Sequence, residues 1–458
     1  MLHTFVPSAR DVRALVRLAV PIATVQVGIM LMAVVDTMVV GHVSARELAA
    51  AALGNLYFYG FAGFGMGVVW AVDPIVSQAL GAGDREAASL GVQRAVVVAA
   101  LVGVTSTLLS LPAERVFRGL GQVADVVPRA AAFVHVSAAS WTALLVFVAL
   151  RQALQAMRQT RAIVGAIVVG NVVNLALNLV FVFGRFGVPA MGAVGSALAS
   201  VCSRYLMVAL VLVAARRELG PVLRPWRRAA LALGPLARTV RLGLPIGLQN
   251  SVEYATFASI SVFAGWFGAA AIGGHQVAIN LASLTFMVPM GVGSAASVLV
   301  GHAIGEGDLA HARRLAASAL LVGAAFMVVS ACVLLAMPGP FARAYTSVPA
   351  VIAMASALIP IAGVFQVFDG LQVVAAGVLR GSGDTRAPLV SNLLGFWLVG
   401  MPVSLLLGFR AGLGVVGLWW GFVAGLAAVA AFLVGRVRVR LSRPVARIRV
   451  DADTAART

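Results

Sequence analysis

Long apolar stretches separated by short polar breaks run along the whole chain. A helix needs about 20 apolar residues to cross the hydrocarbon core of a bilayer, whereas the strands of a membrane barrel would alternate with a period of two. The pattern therefore predicts an all-α polytopic membrane protein with twelve transmembrane helices. We expect these helices to begin near residues 14, 48, 91, 130, 163, 190, 238, 270, 315, 350, 388 and 413.

Composition supports membrane insertion. Of the 458 residues, 61% are hydrophobic and only 11% are charged, and the mean hydropathy is +0.99. Soluble proteins carry about 25% charged residues. The first apolar run, residues 18–40, contains Asp36 and has no small-residue cleavage site, so it predicts a first spanning helix rather than a signal peptide.

The formal charge of +18 comes entirely from arginine among the basic residues. In a soluble protein this charge would suggest nucleic acid as a partner. Here 26 of the 34 arginines fall on one side of the predicted topology, seven fall on the other side, and Arg204 lies within a span. The positive-inside rule then predicts that both termini are cytoplasmic. We expect a multi-pass protein of the bacterial cytoplasmic (inner) membrane, with membrane lipid and no nucleic acid as a partner.

The chain contains a tandem repeat. At an offset of 224, "RLAVPIA" (17–23) aligns with "RLGLPIG" (241–247), and "QALGAGD" (78–84) aligns with "HAIGEGD" (302–308). Each half then has six helices, so both halves enter the membrane in the same orientation. This predicts two six-helix bundles related by a pseudo-two-fold axis along the membrane normal, as in transporters that bind substrate between two bundles.

The repeat and the arginine-rich segments predict the domain boundaries. We expect an N-terminal six-helix bundle, a cytoplasmic linker, a C-terminal six-helix bundle and a basic cytoplasmic tail, at residues 1–214, 215–237, 238–436 and 437–458.

Three acids lie well inside the apolar runs: Asp36, Glu253 and Asp369. A charged side chain near the bilayer centre costs roughly 2.5–3.5 kcal/mol on insertion scales. A buried acid without a fixed cation either takes up a proton or binds a cation, and both are ways of coupling to an ion gradient. No nucleotide-binding loop, nucleophile motif or metal-type Cys/His spacing is present in the sequence. The chain is therefore predicted to be a transporter without a cofactor, not an enzyme.

Amide side chains form stripes on several predicted helices, because their spacings of three and four place them on one helix face. Such amides either join helices, at about 0.6 kcal/mol for each interhelical hydrogen bond, or line a wet cavity. Arg204 could pair with an acid, although snorkelling is preferred, and His275 is expected to form hydrogen bonds rather than relay protons. The stripes are Asn171, Asn174 and Asn178; Gln249 and Glu253; Gln276 and Asn280; and Gln366 and Asp369.

Three segments resemble the multidrug and toxic compound extrusion (MATE) family. They are "VDPIVSQALGAGD" (72–84), "GGHQVAINLASLTFMVPMGVGSAASVLVGHAIGEGD" (273–308) and "FDGLQVVAAGVLRGSGDT" (368–385). Asp36, Glu253 and Asp369 together resemble its NorM branch. The resemblance implies a V-shaped pair of bundles and drug export in exchange for H⁺ or Na⁺. It also implies an ion site at Asp36, Asn174 and Asn178 and a cation site at Glu253 and Asp369.

The buried polar residues and the family resemblance lead to one hypothesis. The chain is a secondary active multidrug efflux antiporter that works as a monomer by alternating access. The coupling ion, H⁺ or Na⁺, binds at Asp36, Asn174 and Asn178. Small cationic, drug-like substrates or a competing ion bind at a second site, and either site could hold Na⁺. The alternatives are a lipid or lipid-linked oligosaccharide flippase of the same superfamily and an intramembrane transferase. The residues expected at the second site are Glu253, Asp369, Gln249, Gln276 and Asn280.

Overall fold

The computed structural model describes residues 6–451. In that range all the regular secondary structure is helical, and no strand is present. Ten helices there are long and apolar enough to cross a membrane. A pair of helices, Val127–Ala138 and Trp141–Ala156, bent by 46° at the break, is long and apolar enough when taken together as one span. The helix Leu233–Trp266 is equally long but carries more polar side chains, including Glu253. A helix is thus present for each of the twelve predicted spans, which confirms the all-α class.

The helices are numbered in chain order. The segments 393–400 and 406–410 are π-helical, and residues 228–231 form a 3₁₀ turn. The α-helices are α1 (Ala9–Gly41), α2 (Ala45–Val69), α3 (Val72–Gly81), α4 (Arg85–Ser110), α5 (Ala113–Gly119), α6 (Val127–Ala138), α7 (Trp141–Ala156), α8 (Arg161–Phe181), α9 (Ala193–Ala214), α10 (Arg216–Leu223), α11 (Leu233–Trp266), α12 (Ala269–Gly305), α13 (Leu309–Ala336), α14 (Pro338–Tyr345), α15 (Pro349–Gly381), α16 (Arg386–Asn392), α17 (Met401–Leu405) and α18 (Gly414–Ser442).

The tandem repeat is visible in the helix boundaries. Helix α11 begins 224 residues after α1, and α13 begins 224 residues after α4. Both α4 and α13 follow a G-x-G-D turn in which a glycine has a left-handed φ, +71° at Gly83 and +79° at Gly307. The next residue, Asp84 or Asp308, caps the helix by accepting the backbone N–H three residues further on, at 2.9 and 2.8 Å. The repeated sequence therefore encodes the same local geometry twice.

The described chain divides into two compact units. Unit 1 contains most of the C-terminal half, residues 248–448, together with residues up to 23 and residues 77–83. Unit 2 contains residues 24–76 and 84–247 and the chain from residue 449. Parts of α1 and α11 thus belong to each unit, so the units do not follow the linear order of the chain. The predicted boundaries at 214, 237 and 436 remain a prediction.

Small residues allow close helix packing within unit 1. Gly417, Gly421 and Gly425 are spaced four apart along α18 and face the segment that runs from α16 to residue 410. A Cβ atom on Gly425 would lie 2.8 Å from the Gly400 Cα atom. Small-residue stripes of this kind let helix backbones approach inside a membrane, where lipid supplies no hydrophobic driving force for association.

Buried polar side chains of α4 hold the linker in unit 2. Gln93 donates from Nε2 to the Val222 carbonyl at 3.0 Å and accepts the Arg227 N–H at 2.9 Å. Arg94 donates to the Ala229 carbonyl at 3.2 Å and forms an ion pair with Asp451. The arginine-rich linker is therefore packed against a spanning helix by specific hydrogen bonds.

Candidate ion and substrate sites

Asp36 lies near the end of α1 and accepts hydrogen bonds on both carboxylate oxygens. Asn178 of α8 donates from Nδ2 to Oδ1 at 2.7 Å, and Ser200 of α9 donates from Oγ to Oδ2 at 2.6 Å. Asp36 is half-buried, whereas Asn178 is fully buried. Hydrogen bonds to a charged group are worth about 1.5–3 kcal/mol each, so these donors stabilise the ionised carboxylate.

The three asparagines of α8 have two different roles. Asn178 Nδ2 also donates to Asn174 Oδ1 at 3.2 Å, and Asn174 Nδ2 lies 3.5 Å from Ser200 Oγ. Asn171 instead donates to the Gly28 carbonyl at 3.1 Å and therefore joins α8 to α1. The structure thus brings together Asp36, Asn174 and Asn178, and ion binding by them remains a prediction. We call these three residues and Ser200 the Asp36 site.

Arg204 follows Ser200 by one helical turn on α9. It donates from Nη1 to Ser140 Oγ at 2.6 Å, and its guanidinium carbon lies 4.6 Å from the centre of the Phe58 ring. No carboxylate lies within 4.0 Å of Arg204 in residues 6–451. Its charge nevertheless interacts with Asp36 through space. Arg204 is therefore a fixed positive charge beside the Asp36 site, held by a hydroxyl and an aromatic ring.

Glu253 of α11 is surrounded by polar side chains from α15 and α16. Its Oε2 atom accepts Asn392 Nδ2 at 3.1 Å and, over a long 3.5 Å, Gln372 Nε2. Asp369 lies one turn before Gln372 on α15, is only 5% exposed, and interacts electrostatically with Glu253. These four residues are called the Glu253 site. The two acids predicted to bind a cation are therefore brought together within unit 1.

Three buried oxygens of the Glu253 site lack a hydrogen-bond donor among residues 6–451: Asp369 Oδ1, Gln372 Oε1 and Asn392 Oδ1. No arginine or histidine in that range lies within 4.0 Å of either acid. A buried polar atom without a partner costs about 1–3 kcal/mol, and a charged one costs more. Carboxylate and amide oxygens are hard ligands, and they suit a hard cation. The site therefore has the chemistry to hold a cation or a proton.

The other residues predicted for substrate binding are not bonded to this site. Gln249 is buried one turn before Glu253 on α11. Gln276 is exposed, and Asn280 donates to the Gln276 carbonyl of its own helix at 2.8 Å. In the described part of the chain, no hydrogen bond joins Gln249, Gln276 or Asn280 to either acid. Their contact with substrate remains a prediction.

Gln366, which the sequence places on the same face as Asp369, has a different environment. Its Oε1 atom accepts Thr285 Oγ1 at 2.6 Å, and its Nε2 atom donates to Ser330 Oγ at 3.0 Å. Both ends of this buried amide are therefore satisfied by neighbouring helices. Gln366 joins helices, whereas Gln372, six residues further along α15, has an acceptor oxygen without a donor.

His275 is buried in unit 1 between two hydrogen-bonding partners. Trp419 Nε1 lies 3.2 Å from its Nδ1 atom, and Ser261 Oγ lies 2.9 Å from its Nε2 atom. An indole nitrogen can only donate, so Nδ1 must carry the lone pair, and the ring is neutral with its proton on Nε2. This agrees with the expected hydrogen-bonding role, because a second proton on Nδ1 would face the indole N–H.

Sequence reasoning did not identify Ser200, Gln372 or Asn392. Gln372 extends the stripe of Gln366 and Asp369 by another three residues, so its spacing could have indicated it. Ser200 lies one turn before the only arginine within a predicted span, which is a weaker indication. Asn392 has only Ser391 as a polar neighbour in sequence, and no helical stripe of polar residues runs through it.

Comparison with known proteins gives full-length matches. A family model described as MatE matches residues 21–180 and 245–406. The chain is 32% identical over 447 residues to multidrug resistance protein MdtK of Pectobacterium atrosepticum, covering 96% of this chain and 97% of that protein. It is also 32% identical over 443 residues to MdtK of Yersinia pseudotuberculosis, covering 95% and 97%.

Solved structures share the fold. The crystal structure of the eukaryotic MATE transporter AtDTX14 superposes with a TM-score of 0.86 at 21% identity, covering 95% of this chain and 99% of that one. A MOP superfamily transporter from Pyrococcus furiosus, described as having a binding pocket of reverse polarity, gives a TM-score of 0.85 at 20% identity, covering 94% and 96%.

The two buried glutamines of α15 are a matched pair for a stability test. Replacing Gln366 with Leu removes the partner of Ser330 and Thr285, and it should lower the free energy of unfolding by about 1–3 kcal/mol. Replacing Gln372 with Leu removes a 3.5 Å contact and an unpaired oxygen, so it should be close to neutral. Thermal unfolding of the purified variants measures both. Equal destabilisation by the two changes would show that Gln372 is a structural residue.

Proposed function

Because the chain belongs to the MATE family of multidrug and toxic compound extrusion transporters, we propose that it exports cationic, amphipathic compounds in exchange for H⁺ or Na⁺ by alternating access. It is a multi-pass membrane protein and a transporter rather than an enzyme. The proposal includes a bacterial cytoplasmic membrane, cytoplasmic termini and a monomeric state. The observation that carries it is the pair of buried acids at the Glu253 site, which has no fixed cation among the described residues.

The Glu253 site supports exchange of one cation for another. Glu253 and Asp369 interact electrostatically, and an amide oxygen of Gln372 is free to act as a ligand beside them. A cationic drug, Na⁺ or a proton would each relieve the same cost of buried negative charge. Ligands that relieve the same cost compete, so the coupling ion favours substrate release. Coupling requires only that the two ligands prefer different states of the protein.

The Asp36 site is better suited to a proton than to a metal cation. Donor hydrogens of Asn178 and Ser200 already face both carboxylate oxygens, and such hydrogens repel a metal cation. The Asn178 amide nitrogen can only donate, so an added proton must sit on Oδ2 beside Ser200. A serine hydroxyl both donates and accepts, so Ser200 can accommodate that proton by rotating. We infer that Asp36 takes up the proton in coupled transport.

Arg204 provides the electrostatic difference between the two sites. Its fixed charge lies one turn from Ser200 and interacts with Asp36, so the ionised Asp36 needs no metal cation for charge balance. The Glu253 site has no such residue in residues 6–451. The proposed assignment is therefore a proton at Asp36 and a larger cation, either substrate or Na⁺, at Glu253 and Asp369.

Efflux of ethidium, a cationic dye, from proteoliposomes tests the proposed function. Under an imposed pH or Na⁺ gradient, Asp36→Asn and Asp369→Asn should each reduce coupled efflux by at least about tenfold, a loss of 1.4 kcal/mol or more. Glu114→Gln changes a partly exposed acid of α5, which pairs with Arg118 and belongs to neither site, and it should leave efflux unchanged. Full antiport by Asp36→Asn would contradict the scheme. Lipid scrambling by the wild type, with no dye efflux under either gradient, would indicate a flippase instead.

The role of Arg204 predicts a change in ion preference. Arg204→Gln removes the balancing charge while the Asn178 and Ser200 donors remain, so Na⁺ should compete for Asp36 better than in the wild type and drive efflux at about tenfold lower concentration. Arg204→Lys keeps the positive charge and should retain the preference of the wild type. The measurement is the Na⁺ concentration that gives half-maximal efflux at fixed pH. An unchanged value in Arg204→Gln would show that Arg204 does not set the ion preference.

A further inference from the structure

A groove of about 560 Å³ lies on unit 2 where the start of α8 meets the end of α9 and the start of α10. Small residues of α8 and α9, including Ala162, Gly165 and Ala214, line it. A Cβ atom added to Gly165 would meet nothing within 4 Å, so the glycine leaves open space. None of these residues belongs to the Asp36 site.

One end of the groove is charged. Arg161 begins α8, and Glu218 lies in the first turn of α10. In residues 6–451, Arg161 has no carboxylate and Glu218 has no basic group within 4.0 Å. The guanidinium of Arg161 and the carboxylate of Glu218 are therefore both available to a ligand at this end of the groove. Arginine binds phosphate in a bidentate geometry, and a carboxylate accepts hydrogen bonds from an ammonium group.

Apart from the exposed Gln159, the rest of the groove is lined by apolar residues and extends along a membrane-spanning helix. Leu154, Val169 and Leu210 line it, and Val169 is 44% exposed. Val169 follows Arg161 by eight residues, which corresponds to about 12 Å along the helix axis. Neighbouring α8 residues Val168 and Val172 are also exposed. An apolar groove on an exposed helix face inside a bilayer is accessible to an acyl chain.

We propose that this groove binds one phospholipid with a primary ammonium headgroup, of the phosphatidylethanolamine type. Arg161 binds the lipid phosphate, Glu218 accepts hydrogen bonds from the ammonium, and an acyl chain lies over Gly165 towards Val169. The charge pattern discriminates between lipids. Glu218 repels a net anionic headgroup such as phosphatidylglycerol, and the quaternary ammonium of phosphatidylcholine has no N–H to donate to Glu218.

Native mass spectrometry of the full chain measures lipid retention without any transport step. Delipidated protein is incubated with phosphatidylethanolamine, phosphatidylcholine or phosphatidylglycerol of identical acyl chains. The wild type should retain one phosphatidylethanolamine more strongly than the other two lipids. Gly165→Leu fills the groove and should weaken that retention by about tenfold. Gly435→Leu is the matched control, because Gly435 is an exposed glycine of α18 whose Cβ would also meet nothing within 4 Å.

Glu218→Gln provides a second, milder variant. It keeps the shape of the groove and one carbonyl acceptor but removes the negative charge, so it should weaken the preference for phosphatidylethanolamine over phosphatidylcholine and remove the discrimination against phosphatidylglycerol, while leaving acyl-chain binding intact. Equal phosphatidylethanolamine retention in Gly165→Leu and Gly435→Leu would overturn the proposal. Tighter binding of phosphatidylglycerol, or displacement of the lipid by a cationic dye in the wild type, would overturn it as well.

Discussion

Two carboxylates, Glu253 and Asp369, are buried together with no basic side chain within 4.0 Å in residues 6–451. In a low-dielectric interior such charge needs a counter-charge or a proton. Asn392 and Gln372 offset only part of the cost, because each donates to Glu253 while its own oxygen stays without a donor. The proposed exchange rests on this imbalance, because a proton or a cation that binds here can also leave.

The two halves of the tandem repeat solve the same problem differently. In unit 2, Asp36 receives donors on both oxygens and has the fixed charge of Arg204 nearby, so its ionised form is balanced by the protein itself. In unit 1, Glu253 and Asp369 have no basic side chain within 4.0 Å among residues 6–451. The repeat preserves helix starts and the Gly-Asp caps of α4 and α13. The two halves thus share backbone geometry but differ in the polar side chains that they bury. This difference is consistent with the proposal that the two sites bind different ions.

Periodicity and hydropathy predicted the fold and part of the sites, for identifiable reasons. Each apolar run sets a helix, and an acid inside a run is expensive wherever it lies, so Asp36, Glu253 and Asp369 could be found without tertiary information. Helical spacing also placed Asn174 and Asn178 on one face. It placed Gln366 on the face of Asp369, although Gln366 joins helices, and it did not single out Gln372, which donates to Glu253. Ser200 meets Asp36 across 164 residues, and only helix packing determines that contact.

If Glu253 and Asp369 exchange cations, then dye, Na⁺ and protons compete for the Glu253 site. Equilibrium binding of ethidium to purified protein, followed by fluorescence anisotropy, would be measured against added Na⁺ and against falling pH, for the wild type and Asp369→Asn. The account predicts that Na⁺ or acid displaces dye from the wild type and that Asp369→Asn binds dye at least about tenfold more weakly. Dye binding that is unaffected by Na⁺, pH and Asp369→Asn would show that these buried acids do not exchange cations.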